Sequence, residues 1–234
     1  MKTIGIIQCD EVGKELKMVH GDYPEMFTMF LEHHAPRFNY RVYQAFKGVL
    51  PNQLHECDAY LITGSRFGVN DGFAWIGDLE RFVQESCVNQ KKIVGICFGH
   101  QLIAKALGGK VVTSRKGWGV GVSANTILMK KAWMLPEFQE INLLVSHQDQ
   151  VVELPKGFEV IAFNEHCPIY MTQLENHFLT IQGHPEFSKT YTKALIEKRK
   201  TVLADAYAPG LTSLELDVHN TIVSRWVINF LLME

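Results

Sequence analysis

Lys91-Lys92-Ile93-Val94-Gly95-Ile96-Cys97-Phe98-Gly99-His100-Gln101-Leu102-Ile103-Ala104-Lys105-Ala106-Leu107-Gly108-Gly109 is the stretch whose reading decides the fold. Ile93 to Ile96 is an apolar, largely β-branched run of the kind that forms a buried strand. Glycines stand on both sides of Cys97, and a helical pattern follows until Gly108-Gly109 stops it. A strand that turns sharply into a helix, with a nucleophile at the corner between small residues, is a nucleophile elbow. The glycines allow a tight turn and let a substrate approach the backbone. The helix that starts beside Cys97 would aim unpaired amides and its positive dipole end at the sulfur, an arrangement suited to an anion. The competing reading is an inert cysteine buried in a parallel-strand core.

Upstream, Thr3 to Gln8 reads as the first strand and the mixed residues up to Gly21 as a loop. Asp22-Tyr23-Pro24-Glu25 is a helix start with Asp22 as cap, and Met26, Phe27, Met29, Phe30 and Leu31 supply its apolar stripe. Phe38 to Phe46 alternates as a second strand. Tyr60-Leu61-Ile62 is a third, running into Thr63-Gly64-Ser65-Arg66-Phe67-Gly68. Trp75 to Asn89 is an amphipathic helix with Ile76, Leu79, Phe82 and Val83 inward. This succession predicts an α/β fold: a doubly wound, mostly parallel sheet with helices on both faces.

Downstream the strands shorten: Val120 to Met129, Ile141 to Val145, Phe158 to Phe163, Ile169 to Gln173 and Phe178 to Gln182. They read as hairpins that extend the same sheet in antiparallel fashion. Helices from Ser188 to Tyr207 and from Leu214 to Leu232 close the chain, with Pro209-Gly210 between them. Residues 1–234 are read as one domain. In such sheets ligands sit beyond the carboxyl ends of the parallel strands, where both Cys97 and the loop after Ile62 lie.

Hydrophobic residues make up 47% of the 234, enough for a sizeable core. Lys plus Arg is 23 against Asp plus Glu at 25, a formal charge of −2 that gives no reason to expect nucleic acid or an anionic membrane as partner. Five cysteines with no CxxC pair favour a reduced, cytoplasmic setting over a disulfide framework. Gln8 to Glu11 interrupts the first apolar run too early for a secretory signal, and no segment approaches a membrane span.

A cysteine nucleophile needs a base, and the base needs an orienting group. Of ten histidines, His184 is placed best. It follows an apolar strand and begins His184-Pro185-Glu186. The residue before proline is held extended, and in extended chain positions i and i+2 face one side. Glu186 therefore lies beside the imidazole, fixing its tautomer and favouring its cation. His100, one turn after Cys97, lacks a carboxylate to orient it. His147 sits at a strand end, while His33 and His34 would diverge on a helix. His20, His55, His166, His177 and His219 read as surface or structural. No HExxH and no Cys/His cluster suggests a metal. The amide of Phe98 is one donor for an oxyanion, and the Gly64-Ser65 turn could offer a second.

Gly95-x-Cys97-x-Gly99-x-Gln101, followed far downstream by His184-x-Glu186, resembles the class I (triad) glutamine amidotransferases, with a flavodoxin-like sheet. The likeness runs from about Thr3 to Phe187. It is nearest to the glutaminase part of GMP synthase and to stand-alone γ-glutamyl peptidases, through Gly95 to Gln101, His147-Gln148-Asp149 and Gln182 to Glu186. The resemblance implies hydrolysis of a γ-glutamyl amide through a thioester on Cys97, with His184 moving the proton and Glu186 orienting it. Gly64 and Phe98 would hold the oxyanion. Gln101, Ser146, His147 and Gln148 would form the glutamine pocket. One departure stands out: the family often has Gly-Gly-Pro at the oxyanion loop, and here it is Thr63-Gly64-Ser65, followed by Arg66.

Neither GxxxxGK[ST] nor a Ser-Gly-Gly loop for ATP is present, and no cofactor is expected. Three readings follow: a glutaminase supplying ammonia to a separate synthetase or acceptor chain, a self-sufficient γ-glutamyl hydrolase or peptidase acting on a small conjugate, and a non-catalytic regulatory relative. The intact Cys-His-Glu set disfavours the third. A cysteine hydrolase of another family on a similar sheet is a weaker fourth option, opposed by Gln101 and His-Pro-Glu.

Overall fold

In the computed structural model, which describes residues 1–33 and 38–233, Cys97 lies at the carboxyl edge of a nine-stranded sheet. His34 falls outside the described residues. The amino-terminal half consists of β1 (Thr3–Gln8), α1 (Lys14–His20), α2 (Tyr23–Glu32), β2 (Asn39–Gln44), β3 (Ala59–Ile62), α3 (Ala74–Val88), β4 (Lys92–Ile96) and α4 (Phe98–Ala106). Then come β5 (Lys110–Thr113), β6 (Gly119–Ile127), β7 (Glu140–His147), β8 (Asp149–Glu153), β9 (Glu159–Phe163), β10 (Met171–Leu174) and β11 (Phe178–Ile181). The chain closes with α5 (Lys189–Lys198), α6 (Lys200–Leu203), α7 (Tyr207–Ser213) and α8 (Asn220–Leu232).

The sheet order is β2-β1-β3-β4-β11-β10-β9-β6-β7. β2, β1, β3, β4 and β11 pair in parallel, and the strands from β11 onward pair antiparallel. The apolar runs alternate between two cores. Leu61, Val94, Ile96 and Ile181 face the side covered by α2 and α8, with Phe27, Phe30, Trp226 and Phe230. Tyr60, Ile62, Ile93 and Phe178 face the side covered by α3 and α4, with Leu79, Val83 and Leu102. Strands covered on both faces read as continuous apolar runs, as these do.

Some expectations need correction. The segment before Gly21 is not all loop, because α1 occupies it. That helix buries no residue and leaves Met18 and Val19 more than 70% exposed, so its sequence carries no apolar stripe to read. The second strand stops at Gln44, where a single 3₁₀ turn, Ala45–Lys47, takes over. The strands read as hairpins do extend the main sheet, while β5 and β8, which the sequence reading did not identify, form their own two-stranded ribbon. Pro209-Gly210 lies inside α7 rather than between helices. Proline is tolerated there because the first amides of a helix have no intrahelical partner. Gly210 is packed so closely on β6 that an added Cβ would meet Val120 Cγ1 at 2.8 Å.

Candidate active site

Cys97 is the hinge between β4 and α4. Its backbone sits at φ 51°, ψ −99°, an unfavourable conformation for a residue with a side chain. The parallel ladder holds it there: β4 pairs with β11, and the Cys97 amide donates to the Ile181 carbonyl at 2.8 Å. Gly99 lets α4 approach β3, since a Cβ on it would stand 2.5 Å from the Ile62 carbonyl oxygen. The sulfur-bearing residue is 5% exposed.

His184 leaves the end of β11 and is anchored on the other side by its amide, which donates to the Leu144 carbonyl at 2.7 Å. The Nδ1–H of its ring donates to Glu186 Oε1 at 2.7 Å. A carboxylate only accepts, which leaves Nε2 for the sulfur, and Cys97 lies close enough to act on the charge of the ring. The sequence predicts an extended run here. The chain instead bends at Gln182-Gly183 and turns at Pro185-Glu186, and the two side chains meet across the turn. Phe187 stacks flat on the imidazole, with ring centroids 3.9 Å apart and planes 4° from parallel. Burial disfavours the imidazolium, but the Glu186 carboxylate and the Cys97 sulfur outweigh it, so His184 is held above its ordinary range.

The other histidines behave differently. His100 is buried, with Nδ1 2.7 Å from Thr180 Oγ1, and burial pushes it down to about 3. His147 is likewise pushed down to about 3, chiefly by burial, and its Nδ1 lies 3.2 Å from the Asp149 carbonyl oxygen. Burial makes both of them weak proton acceptors.

Gly64 lies against the same imidazole: a Cβ there would stand 2.7 Å from His184 Cε1 and 3.7 Å from Cys97 Cβ. Only glycine fits. The unusual loop around it is pinned to the end of β1. Thr63 Oγ1 accepts from the Cys9 amide, Ser65 Oγ donates to the Cys9 carbonyl, and Asp10 takes both the Arg66 amide at 3.0 Å and its guanidinium at 2.8 Å.

Cys97 opens on a cavity of about 250 Å³ whose walls include Ser65, Phe98, Gln101, His147, Gln148 and Asp149. That is below the usual range for drug-sized ligands and suits an amino-acid-derived substrate. Ser146 also lines it and accepts at 2.9 Å from Arg199, whose guanidinium stacks over Trp118 at 5.9 Å. Among the described residues a larger cavity, about 670 Å³, lies beyond Glu186 and is lined by apolar side chains such as Met26, Phe30 and Phe187. It does not include Cys97.

Thus Cys97, Phe98, Gln101, Ser146, His147 and Gln148 line one cavity, and His184, Glu186 and Gly64 stand next to Cys97 outside its lining. Sequence reasoning missed Gln182, Arg199, Trp118, Asp149 and Phe187. Gln182 and Asp149 carried a signal, since both stand in the stretches that supplied the family likeness. Arg199 and Trp118 come from distant elements, and nothing local marks them. Among the described residues, no group of three His, Cys, Asp or Glu side chains is arranged to hold a metal, and no helix is long and apolar enough to cross a membrane.

Comparison with known proteins adds family context. The family description of glutamine amidotransferase class-I matches residues 40–203. γ-Glutamyl peptidase 2 of Arabidopsis thaliana is 28% identical over 206 residues, spanning 85% of this chain and 81% of that one. A separate-chain component of the glutamine-hydrolysing GMP synthase of Saccharolobus solfataricus is 31% identical over 139 residues, 59% of this chain and 72% of that one. The crystal structure of a glutamine amidotransferase from Thermotoga maritima superposes with a TM-score of 0.75, covering 99% of each chain at 16% identity.

Proposed function

The chain belongs to the class-I glutamine amidotransferases, and on that premise we propose that it hydrolyses γ-glutamyl amide bonds through a thioester on Cys97. The observation that carries this is the His184 ring, bonded to Glu186 at 2.7 Å on one side and packed with Cys97 around Gly64 on the other, near enough for the sulfur to raise its basicity. In this reading Sγ attacks the γ-carbonyl carbon, and the amides of Phe98 and Gly64 stabilise the oxyanion. The C–N bond breaks as His184 gives a proton to the departing nitrogen, leaving a γ-glutamyl thioester and free ammonia or amine. Water, deprotonated by His184, then attacks the thioester and releases glutamate and the sulfur. Cys97, His184, Glu186 and the two amides supply this chemistry without a bound cofactor.

Glutamine itself is the first substrate class, and the GMP synthase component among the relatives supports a separate synthetase chain as the user of its ammonia. A second reading, a self-sufficient γ-glutamyl peptidase, is favoured by a specific observation. The γ-glutamyl peptidase likeness spans most of both chains, whereas the GMP synthase likeness spans 59% of this one. Arg199 adds to it. Among the described residues it has no carboxylate within ion-pair distance, and its place in the cavity wall suits a substrate carboxylate.

Purified protein, alone, assayed on glutamine and a panel of γ-glutamyl amino acids tests both readings, with Cys97→Ala as control. Faster release from a γ-glutamyl amino acid than from glutamine selects the peptidase. Brisk turnover of glutamine in preference to the conjugates selects the glutaminase. Failure to cleave any member of the panel sinks the hydrolase proposal.

A further inference from the structure

A buried chain of two side-chain amides joins the cavity wall to the sulfur. Gln101 Nε2 lies 2.8 Å from the Asp149 carbonyl oxygen and 3.0 Å from Gln182 Oε1. Gln182 Nε2 lies 3.5 Å from Cys97 Sγ. The orientation of both amides follows from their partners. A backbone carbonyl only accepts, so the Gln101 atom facing Asp149 must be the nitrogen. That nitrogen also faces Gln182, whose near atom must therefore be the oxygen. The atom of Gln182 left for the sulfur is then its NH₂, a donor.

Gln182 is fully buried, Gln101 is 4% exposed and Cys97 5%. An anionic sulfur in such a place has little water to solvate it and depends on fixed donors. His184 is one of them. We propose that Gln182 is a positioning residue that supplies another: its amide holds the Cys97 thiolate in place and ties it to Gln101 in the cavity wall. The proposal rests on Cys97 being the nucleophile and extends that reading to a residue with no part in the proton transfers. It also gives Gln101 a second task. Its nitrogen is spent on Asp149 and Gln182, so only Oε1 remains to meet a substrate, and a ligand that shifts Gln101 acts on the sulfur through Gln182.

The test is the rate at which iodoacetamide alkylates Cys97, followed from acidic to alkaline pH alongside steady-state kinetics, in Gln182→Glu and Gln182→Met. The first variant keeps an oxygen for Gln101 and removes the N–H from the sulfur. The second removes both contacts at similar length. Loss of a hydrogen bond to an ion predicts alkylation slower by about tenfold or more at neutral pH, with rates converging towards wild type at high pH, and a comparable fall in kcat. KM should stay within about threefold in Gln182→Glu, where the Gln101 contact survives. If either variant folds with a wild-type alkylation profile, or loses KM alone, Gln182 only fills space and the proposal is overturned. Alkylation reports on the sulfur whatever the reaction, so it is independent of the nucleophile assignment. Retained turnover in Cys97→Ala would refute that assignment separately.

Discussion

Cys97 combines an unfavourable backbone, at φ 51° and ψ −99°, with almost complete burial. Such strain persists only where the surroundings hold it, and here the surroundings are the β4–β11 ladder and two flanking glycines. His184 is set by three neighbours acting differently: Glu186 fixes the tautomer, Phe187 fixes the ring plane, and Gly64 closes the edge. Because Glu186 is the foremost of the groups that raise His184, Glu186→Gln keeps the shape and removes the charge. Raised basicity means that the imidazolium persists as pH rises past the ordinary histidine range, so His184 can still donate a proton to the leaving group there. In Glu186→Gln that cation is lost at lower pH, and the alkaline limb of kcat/KM should move down. A pH–rate profile reads this directly, and an unmoved limb would mean that His184 is not the group titrating. His184→Asn should cost on the order of 10⁴-fold or more in kcat, by the behaviour of other triads. At this scale the grouping of Cys97, His184 and Glu186 was legible because cysteine between glycines and His-Pro-Glu carry local rules. The cation–π pair of Arg199 and Trp118 was not, because tertiary folding alone brings its members together.

At the scale of elements, the parallel half of the sheet was readable from runs such as Tyr60-Leu61-Ile62, whose alternate members serve opposite cores. Polar α1 and the short ribbon β5–β8 were not, since neither presents a long periodic face. The ribbon nevertheless matters to the site, because β8 carries Asp149, whose carbonyl fixes Gln101. The cap at Asp22 was legible and does more than cap. Its side chain accepts from the amides of Tyr23 at 2.9 Å and Val12 at 2.8 Å, from Gln8 at 3.1 Å, and pairs with Lys17 at 2.7 Å. It ties the start of α2 to the loop that leaves β1. Asp22→Ala removes the cap and strands buried donors, so it should cost about 2 kcal/mol or more. Urea unfolding would show this as a lower midpoint at unchanged slope, and a loss below about 0.5 kcal/mol would mean that water replaces the carboxylate freely.

At the scale of the molecule, the end of β4 carries Cys97, the turn after β11 carries His184 and Glu186, the loop after β3 carries Gly64, and β7 and β8 help to wall the cavity. The carboxyl-edge location followed from the general rule for parallel sheets. The shape of the cavity did not, because it depends on antiparallel strands and on Arg199 from the bend between α5 and α6. The central claim is that Cys97 is the γ-glutamyl acceptor. Peptide mapping after exposure to a diazo-ketone analogue of glutamine tests it most directly among the five free cysteines. Label should fall on Cys97 first, with loss of turnover in step with labelling. Label on Cys9 or Cys167 instead, with Cys97 unmodified, would contradict it.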